Sequence, residues 1–474
     1  MKSNRGFCIG LALLLAVSAL SFAGGRGAGG GSSGGSGGVT TIRVWTNDAH
    51  NKMEVDQLVE KFNVGIGAQQ GIKVEYTVYG ADWDTAMNMA LDTGREPELF
   101  KGVSNIPNFR LQGKLLPWKE IPGIDDVLKA QEPYHINQSS TFDGDIYSVV
   151  LYGWSAGFHY NKRLLQRAGI AAPPKTWAEF EDAAIKISKL DPGKIYGYAL
   201  PLAWSPAFRE WIIEYATASS IGHPYYNATQ GKYQFADYAP YFEMLARLRE
   251  ADAIFPGMES LTDDQMRAHF AEGNIGFIGG AGWNVGVLYD QFPFKDPATG
   301  QPDPEGWDYA TLPLQNANNA YAVPMSAGAS IYASAQLRND RDKLNKVGHV
   351  IRLFCGDEMQ SVLMTAGKNV PLRPDVIAKA APAQRPQWTS YGRAAPATVT
   401  LPAMPHDYLA PEGADMTATF SQILTGQIRA SEIRNTLIDL DRRYNAALQQ
   451  AFDRNIIKKE DFTDPTLEAR FRAK

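Results

Sequence analysis

Five consecutive residues, Gly153-Trp154-Ser155-Ala156-Gly157, spell a G-x-S-x-G motif. On a sharp strand-to-helix turn this motif exposes a nucleophilic serine beside an oxyanion hole and a histidine base. A strand-like segment precedes it, and a helix-like one begins near Lys162. The helix should start directly after the serine, yet Phe158-His159-Tyr160 continue an extended pattern, and no His-Gly-type oxyanion segment lies upstream. His223, His269, His349 and His406 are all available as the base, with nothing to choose among them. A serine hydrolase acting through Ser155 is carried forward as an alternative.

Other reactive patterns are missing. No G-x-x-x-x-G-K-(S/T) is present, so nucleotide hydrolysis belongs to another chain. Gly65-Ile66-Gly67-Ala68-Gln69-Gln70-Gly71 is one residue too long for a dinucleotide fingerprint. There is no His-Glu-x-x-His and no paired Cys-x-x-Cys, so neither a metal nor a cofactor is expected. The neighbouring acids Asp143/Asp145 and Asp263/Asp264 read as turn and surface residues; a glycosidase needs two carboxylates held across a bond, which sequence spacing does not demonstrate. The formal charge is -5 with no basic run, which argues against a nucleic-acid partner. Cys8 lies in the leader, leaving Cys355 alone in an apolar helical context, where a buried structural thiol is expected.

These residues need a frame, and 474 of them exceed one ordinary core, so two lobes are expected. Residues 1–23 read as a signal peptide: Lys2 and Arg5, an apolar run from Gly6, then Ser21-Phe22-Ala23. The rival is an uncleaved anchor that tethers the protein to the membrane. No cysteine stands at the cleavage point, so lipid anchoring is not expected. A periplasmic or extracellular product is therefore expected. Residues 24–38, mostly Gly and Ser, form a flexible linker spanning roughly 20 Å.

From Val39 onward strands and helices alternate, which implies an α/β fold with largely parallel sheets. Thr40 to Trp45 alternates as a strand, and Met53, Val55, Leu58, Val59 and Phe62 follow at helical spacing. A second strand runs from Gly71 to Tyr79 and a second helix from Asp84 to Thr93. Thr176 and Glu179 form a capping box ahead of Trp177, Phe180, Ala184 and Ile187. Ile433, Leu437, Leu440, Tyr444 and Leu448 mark a long amphipathic helix. Open α/β sheets bind ligands beyond the C-terminal ends of their strands. Trp45, with Asn47 and Asp48 after it, ends the first strand, and Asp82 follows the second. Their bland alternatives are a core tryptophan beside a helix cap, and a helix N-cap at Asp82.

Asp143-Gly144-Asp145-Ile146-Tyr147, Tyr160-Asn161-Lys162, Ala168-Gly169-Ile170 and Pro173-Pro174-Lys175-Thr176-Trp177-Ala178-Glu179-Phe180 occur in that order. Together they closely resemble the family 1 extracellular solute-binding proteins, whose usual run is D-G-K-x-Y, Y-N-K, A-G-I, P-P-x-T-W-x-E-F. Gly94-Arg95-Glu96-Pro97-Glu98-Leu99 resembles the family's G-x-x-P-D stretch, with Glu98 in place of aspartate. Gly273 to Phe277 with Gly282-Trp283, and Gly367 to Arg373, resemble its later strand and crossover.

The resemblance implies a two-lobe periplasmic-binding-protein clamp, each lobe a mixed, mostly parallel sheet flanked by helices and joined by several hinge crossings. Residues 39–150 plus 325–369 would form the N-lobe, and 151–324 plus 370–474 the C-lobe. Crossings are expected near 150–154, 313–325 and 370–373. The implied role is capture of a sugar or another polar solute, such as a polyol or glycerol phosphate, for the permease subunits of an ABC importer. The protein would act as a monomer and not as an enzyme. Sugars offer apolar C–H faces and a rim of hydroxyls, which suits aromatic rings edged by polar groups. Beside Trp45, Asp48 and Asp82, the resemblance places Ser104, Asn105, Trp154 and Trp283 at the cleft. Trp204 is a further candidate, with core packing as its alternative. Arg373 either hydrogen-bonds the ligand or braces the hinge.

Overall fold

The computed structural model describes residues 38–80, 82–102, 106–203, 206–296, 298–318, 321–326, 330–371, 373–381, 385–394 and 398–472. The expected leader and most of the linker, Ser104, Asn105 and Trp204 lie outside the described residues. The strands of the two main sheets are β1 (Thr40–Thr46), β2 (Ile72–Val78), β3 (Leu99–Lys101), β4 (Ser148–Val150), β5 (Tyr152–Asn161) and β6 (Tyr196–Ala199), followed by β7 (Ile275–Ala281), β8 (Trp307–Ala310), β9 (Val323–Ser326), β10 (Ser330–Ala333), β11 (Val370–Pro371) and β12 (Thr398–Thr400). The helices that position the site are α1 (Lys52–Phe62), α2 (Trp83–Thr93), α3 (Trp177–Ser188), α4 (Trp283–Asp290), α5 (Arg341–Cys355), α6 (Asp357–Thr365) and α7 (Ile433–Asp453).

Alternation in β1 sends Ile42, Val44 and Thr46 into the core, while Arg43 and Trp45 point to the other face. β1 runs parallel to β2 from the Thr40–Ile72 pair to Thr46–Val78, and parallel to β3 at Trp45–Phe100. β10 then joins β3 and β4 antiparallel, completing a five-stranded sheet. α1 buries Val55, Leu58, Val59 and Phe62 beneath that sheet. Met53, which shares their approximate spacing, is 62% exposed, and Glu54 takes the buried position beside Val55. The helical face is set by the 100° step per residue, which puts position 54 over 58 and swings 53 outward.

β5 organises the second sheet. One edge pairs antiparallel with β7, from Tyr160–Phe277 to Ala156–Ala281. Its other edge is covered in turn by β11 at Tyr152 and Gly153, β9 at Trp154 and Ser155, and β8 from Phe158 to Asn161. β6 and β12 add parallel pairs to β7 and β9. The sheets are mixed as expected but not mostly parallel: every pair on β5 is antiparallel, as are both pairs on β10, because these strands bring the chain back across between the lobes. The core of the second sheet is continuous with α3 and α7. The capping box forms: Thr176 Oγ1 accepts from Glu179 N at 3.2 Å while the Glu179 carboxylate accepts from Thr176 N.

The chain passes between the sheets at Leu151 and again between Ser326 and Ser330. That second passage falls later than the 313–325 expected from sequence, because β9 pairs with β5 and so stays with the second sheet. After α6 the chain returns through β11. Two mixed sheets flanked by helices and joined by three passages make a two-lobe α/β clamp. Cys355 is buried under the first sheet, and burial pushes its thiol up to about 12, so it is unreactive. Among the described residues no helix is long and apolar enough to cross a membrane.

Candidate ligand-binding cleft

Three parallel strands, β1, β2 and β3, end on the same edge of the first sheet. Beyond that edge stands a row of rings. Trp45 packs on Tyr79 with centroids 5.0 Å apart, and Tyr79 on Trp83 at 5.8 Å. The backbone fixes the row: Tyr79 N donates to Thr46 O at 2.7 Å, joining the ends of β1 and β2. Trp83 is buried in α2 against Met87, Leu91 and Phe100, whereas Trp45 and Tyr79 are only partly covered. Asp82 is exposed at the N-cap of α2, and its side chain makes no capping hydrogen bond. Burial, helped by the Asp82 carboxylate, raises the Tyr79 phenol above its ordinary value. Tyr79 was not singled out in the sequence, although it directly follows the same strand that drew attention to Asp82.

Asp48 lies one step deeper. Its Oδ1 is ion-paired with Lys101 at the end of β3, and its Oδ2 accepts from the Tyr152 hydroxyl at 2.6 Å. Burial, the largest single influence, would raise this carboxyl, but Lys101, His50 and the Tyr152 hydroxyl together hold the group below the ordinary value. Both Asp48 oxygens therefore have protein partners. A cavity of about 30 Å³ sits behind it, lined by Trp45, Asn51, Tyr76, Lys101 and Tyr152 among others. This volume suits water and not a sugar ring.

In the second lobe α4 opens on Trp283 just after β7, and this ring is partly buried against the core of that lobe. The next residue, Asn284, is fully buried, and its Oδ1 accepts from Arg267 Nε and Nη2 at 2.9 and 2.7 Å. Arg267 is in turn ion-paired with Asp263 and Asp264. The acids read from sequence as surface residues thus include one, Asp263, that is buried in a structural ion pair. Burial raises its carboxyl to about 6.

Trp154 and Ser155 are the third and fourth residues of β5, paired with Ser326 and Met325 of β9. The strand runs unbroken to Asn161, so no elbow follows Ser155. Gly157 has its own explanation: a Cβ there would stand 1.9 Å from the Tyr309 hydroxyl oxygen. Arg373 is engaged by two carboxylates, Asp357 at 2.7 Å and Asp375 at 2.6 Å. Asp357 opens α6, so this guanidinium ties the third passage to the helix before it. Among the described residues no cluster of three or more His, Cys, Asp or Glu side chains could hold a metal.

The fold and this edge define a two-lobe α/β binding protein. A family model for the bacterial extracellular solute-binding proteins matches residues 51–336, more than half of the chain. The chain belongs to that family. Solved structures share the fold at low identity. One is a chitin oligosaccharide binding protein, 20% identical, with a TM-score of 0.64 over 86% of this chain and 99% of that one. The GacH receptor of Streptomyces glaucescens, known unliganded and with acarbose, is 18% identical, with a TM-score of 0.66 over 86% and 98%. The maltose/maltodextrin-binding domain MalE of Bdellovibrio bacteriovorus, bound to maltotriose, is 15% identical, with a TM-score of 0.63 over 87% and 100%. No curated protein sequence matches the chain.

Proposed function

We propose that the chain captures a sugar or oligosaccharide between its lobes and presents it to the permease subunits of an ABC importer, without catalysis. The observation that carries this reading is the partly uncovered pair Trp45 and Tyr79 at the C-terminal edge of the first sheet. Flat rings suit the C–H face of a pyranose, and the exposed Asp82 carboxylate beside them suits its hydroxyls. Family membership supports the binding role, and structural neighbours named for chitin oligosaccharide, acarbose and maltotriose support the ligand class.

The moving bodies are the first sheet with residues 38–150 and 330–369, and the second with 152–326 and 370–472. Trp45, Tyr79, Asp82 and Ser104 would contact the ligand from the first, Trp204 and Trp283 from the second, and Trp154 from the hinge strand. Asp48 acts from behind, holding Lys101 and Tyr152, and Arg373 braces the third passage. The chain is a monomer exported by residues 1–23, periplasmic or extracellular, and tethered if that leader is retained. A thermal-shift panel of mono- and oligosaccharides, polyols and glycerol phosphate tests the reading. A ligand at a hundred times its dissociation constant adds about 2.7 kcal/mol of stability. A shift with a polyol or glycerol phosphate alone, and none with any sugar, would replace the ligand class.

A further inference from the structure

Away from the aromatic row, a buried ammonium joins the two lobes. Lys368 is 4% exposed and sits in the turn between α6 and β11, at the third passage. Its Nζ lies 2.5 Å from Asp290 Oδ2, at the last residue of α4 in the second lobe, and 3.7 Å from Glu54 Oε1 on α1 in the first. This is what Glu54 does on the buried face of α1. Arg385 takes the other Asp290 oxygen at 3.1 Å, and His50 meets Asn369 Oδ1 at 3.2 Å. The two lobes touch closely here. A Cβ at Gly286 of α4 would lie 3.1 Å from Lys368 Cδ and 3.5 Å from Gly367 O, so the bare helix face admits the turn.

We infer that Lys368 and Asp290 form an interlobe clasp that favours the closed arrangement, which makes them positioning residues for ligand capture. This rests on the proposal that the ligand is held between closing lobes. The ammonium is shielded and the carboxylate is not: the Lys368 side chain is 5% exposed and that of Asp290 38%, so losing Asp290 strands the buried cation, while losing Lys368 leaves Asp290 with water and Arg385. Parting the lobes would carry Asp290 away and leave Lys368 facing Glu54 alone. The clasp sits on the same helix as Trp283: α4 has eight residues, about 12 Å of rigid rod, between the cleft and Asp290. Apparent affinity scales with the population of the binding-competent form, so a clasp defect lowers affinity for every ligand by one common factor.

The test compares the full-length chain with Asp290→Asn, Asp290→Glu and Lys368→Met, using titration calorimetry with two sugars of different length and small-angle scattering without ligand. Asp290→Asn and Lys368→Met should weaken both sugars alike, by about tenfold. Each should also enlarge the radius of gyration of the free protein, and Asp290→Glu should restore both readings. Unequal losses for the two sugars would mean direct ligand contact and overturn the clasp. If neither sugar binds the parent chain, the scattering alone decides: a larger free variant supports the clasp, and an unchanged radius overturns it. Should Lys368→Met fail to fold, Gly286→Ala, which pushes α4 away from Lys368, takes its place under the same criteria.

Discussion

The Tyr152 hydroxyl donates a 2.6 Å hydrogen bond to Asp48, tying the first residue of β5 to the loop that ends β1. Tyr152 stands just past the first passage between lobes, so this bond anchors the hinge strand to the first sheet. Tyr152→Phe would leave a buried carboxylate oxygen short of a donor, at a cost of about 1–3 kcal/mol. Urea denaturation should show a lower midpoint at unchanged slope. An unchanged midpoint would mean the bond contributes nothing to holding the hinge.

The aromatic row separates binding from stability. Trp45→Ala and Tyr79→Ala remove partly uncovered rings, so each should weaken sugar binding by roughly tenfold, near 1.4 kcal/mol, with a cooperative melt retained. Trp83→Ala empties a core position and should cost about 3–5 kcal/mol of stability. Calorimetric titration beside thermal melts reads both. Equal affinity in the Trp45 and Tyr79 variants would remove them from the site.

His159 makes stability depend on pH. It is fully buried, edge-on to Trp307 and Tyr309, and burial together with nearby Arg267 pushes its imidazole down to about 3. The folded state thus binds this proton more weakly than the unfolded chain, whose histidine titrates near 6.5. The contribution is complete above pH 6.5 and is lost as pH falls towards 3, by on the order of 5 kcal/mol. Asp263 works in the opposite sense between its ordinary value and about 6, so the comparison must be between proteins. His159→Leu should flatten the parent's loss of stability across pH 6.5 to 4. Parallel profiles for the two proteins would show that His159 is not the titrating group.

Thr176 is the simplest stability test. Thr176→Ala removes the capping oxygen from α3 and frees Glu179, for a cost of about 1 kcal/mol. Trp177 stays docked through its indole N–H on Pro313 O at 2.9 Å. A loss of ligand affinity out of proportion to this change would assign the cap a role in the cleft.

Local chemistry was legible before the fold was known. The capping box at Thr176, the stripe from Ile433 to Leu448 and the strand at Thr40 all follow from spacing between neighbours, which survives folding. Long-range partnerships were not legible. Glu54 is a surface acid by composition, and only Lys368, more than three hundred residues later, makes it a buried one. Asp48 had the right location for a ligand contact, but Lys101 and Tyr152 arrive from two other strands to occupy it. The motif at 153–157 was discounted from sequence because an extended pattern follows Ser155, but the reason for its second glycine was not legible, since Gly157 answers to Tyr309 across the sheet. Tyr79 was within reach of sequence reasoning, because it directly follows β2.

Lobe closure on a sugar tests the central claim most directly. Small-angle scattering during titration with an oligosaccharide that shifts the melt should show a saturable fall in radius of gyration, with Trp45→Ala moving the midpoint to higher concentration. No binding to any carbohydrate, together with ester hydrolysis abolished by Ser155→Ala, would contradict the account and restore the hydrolase.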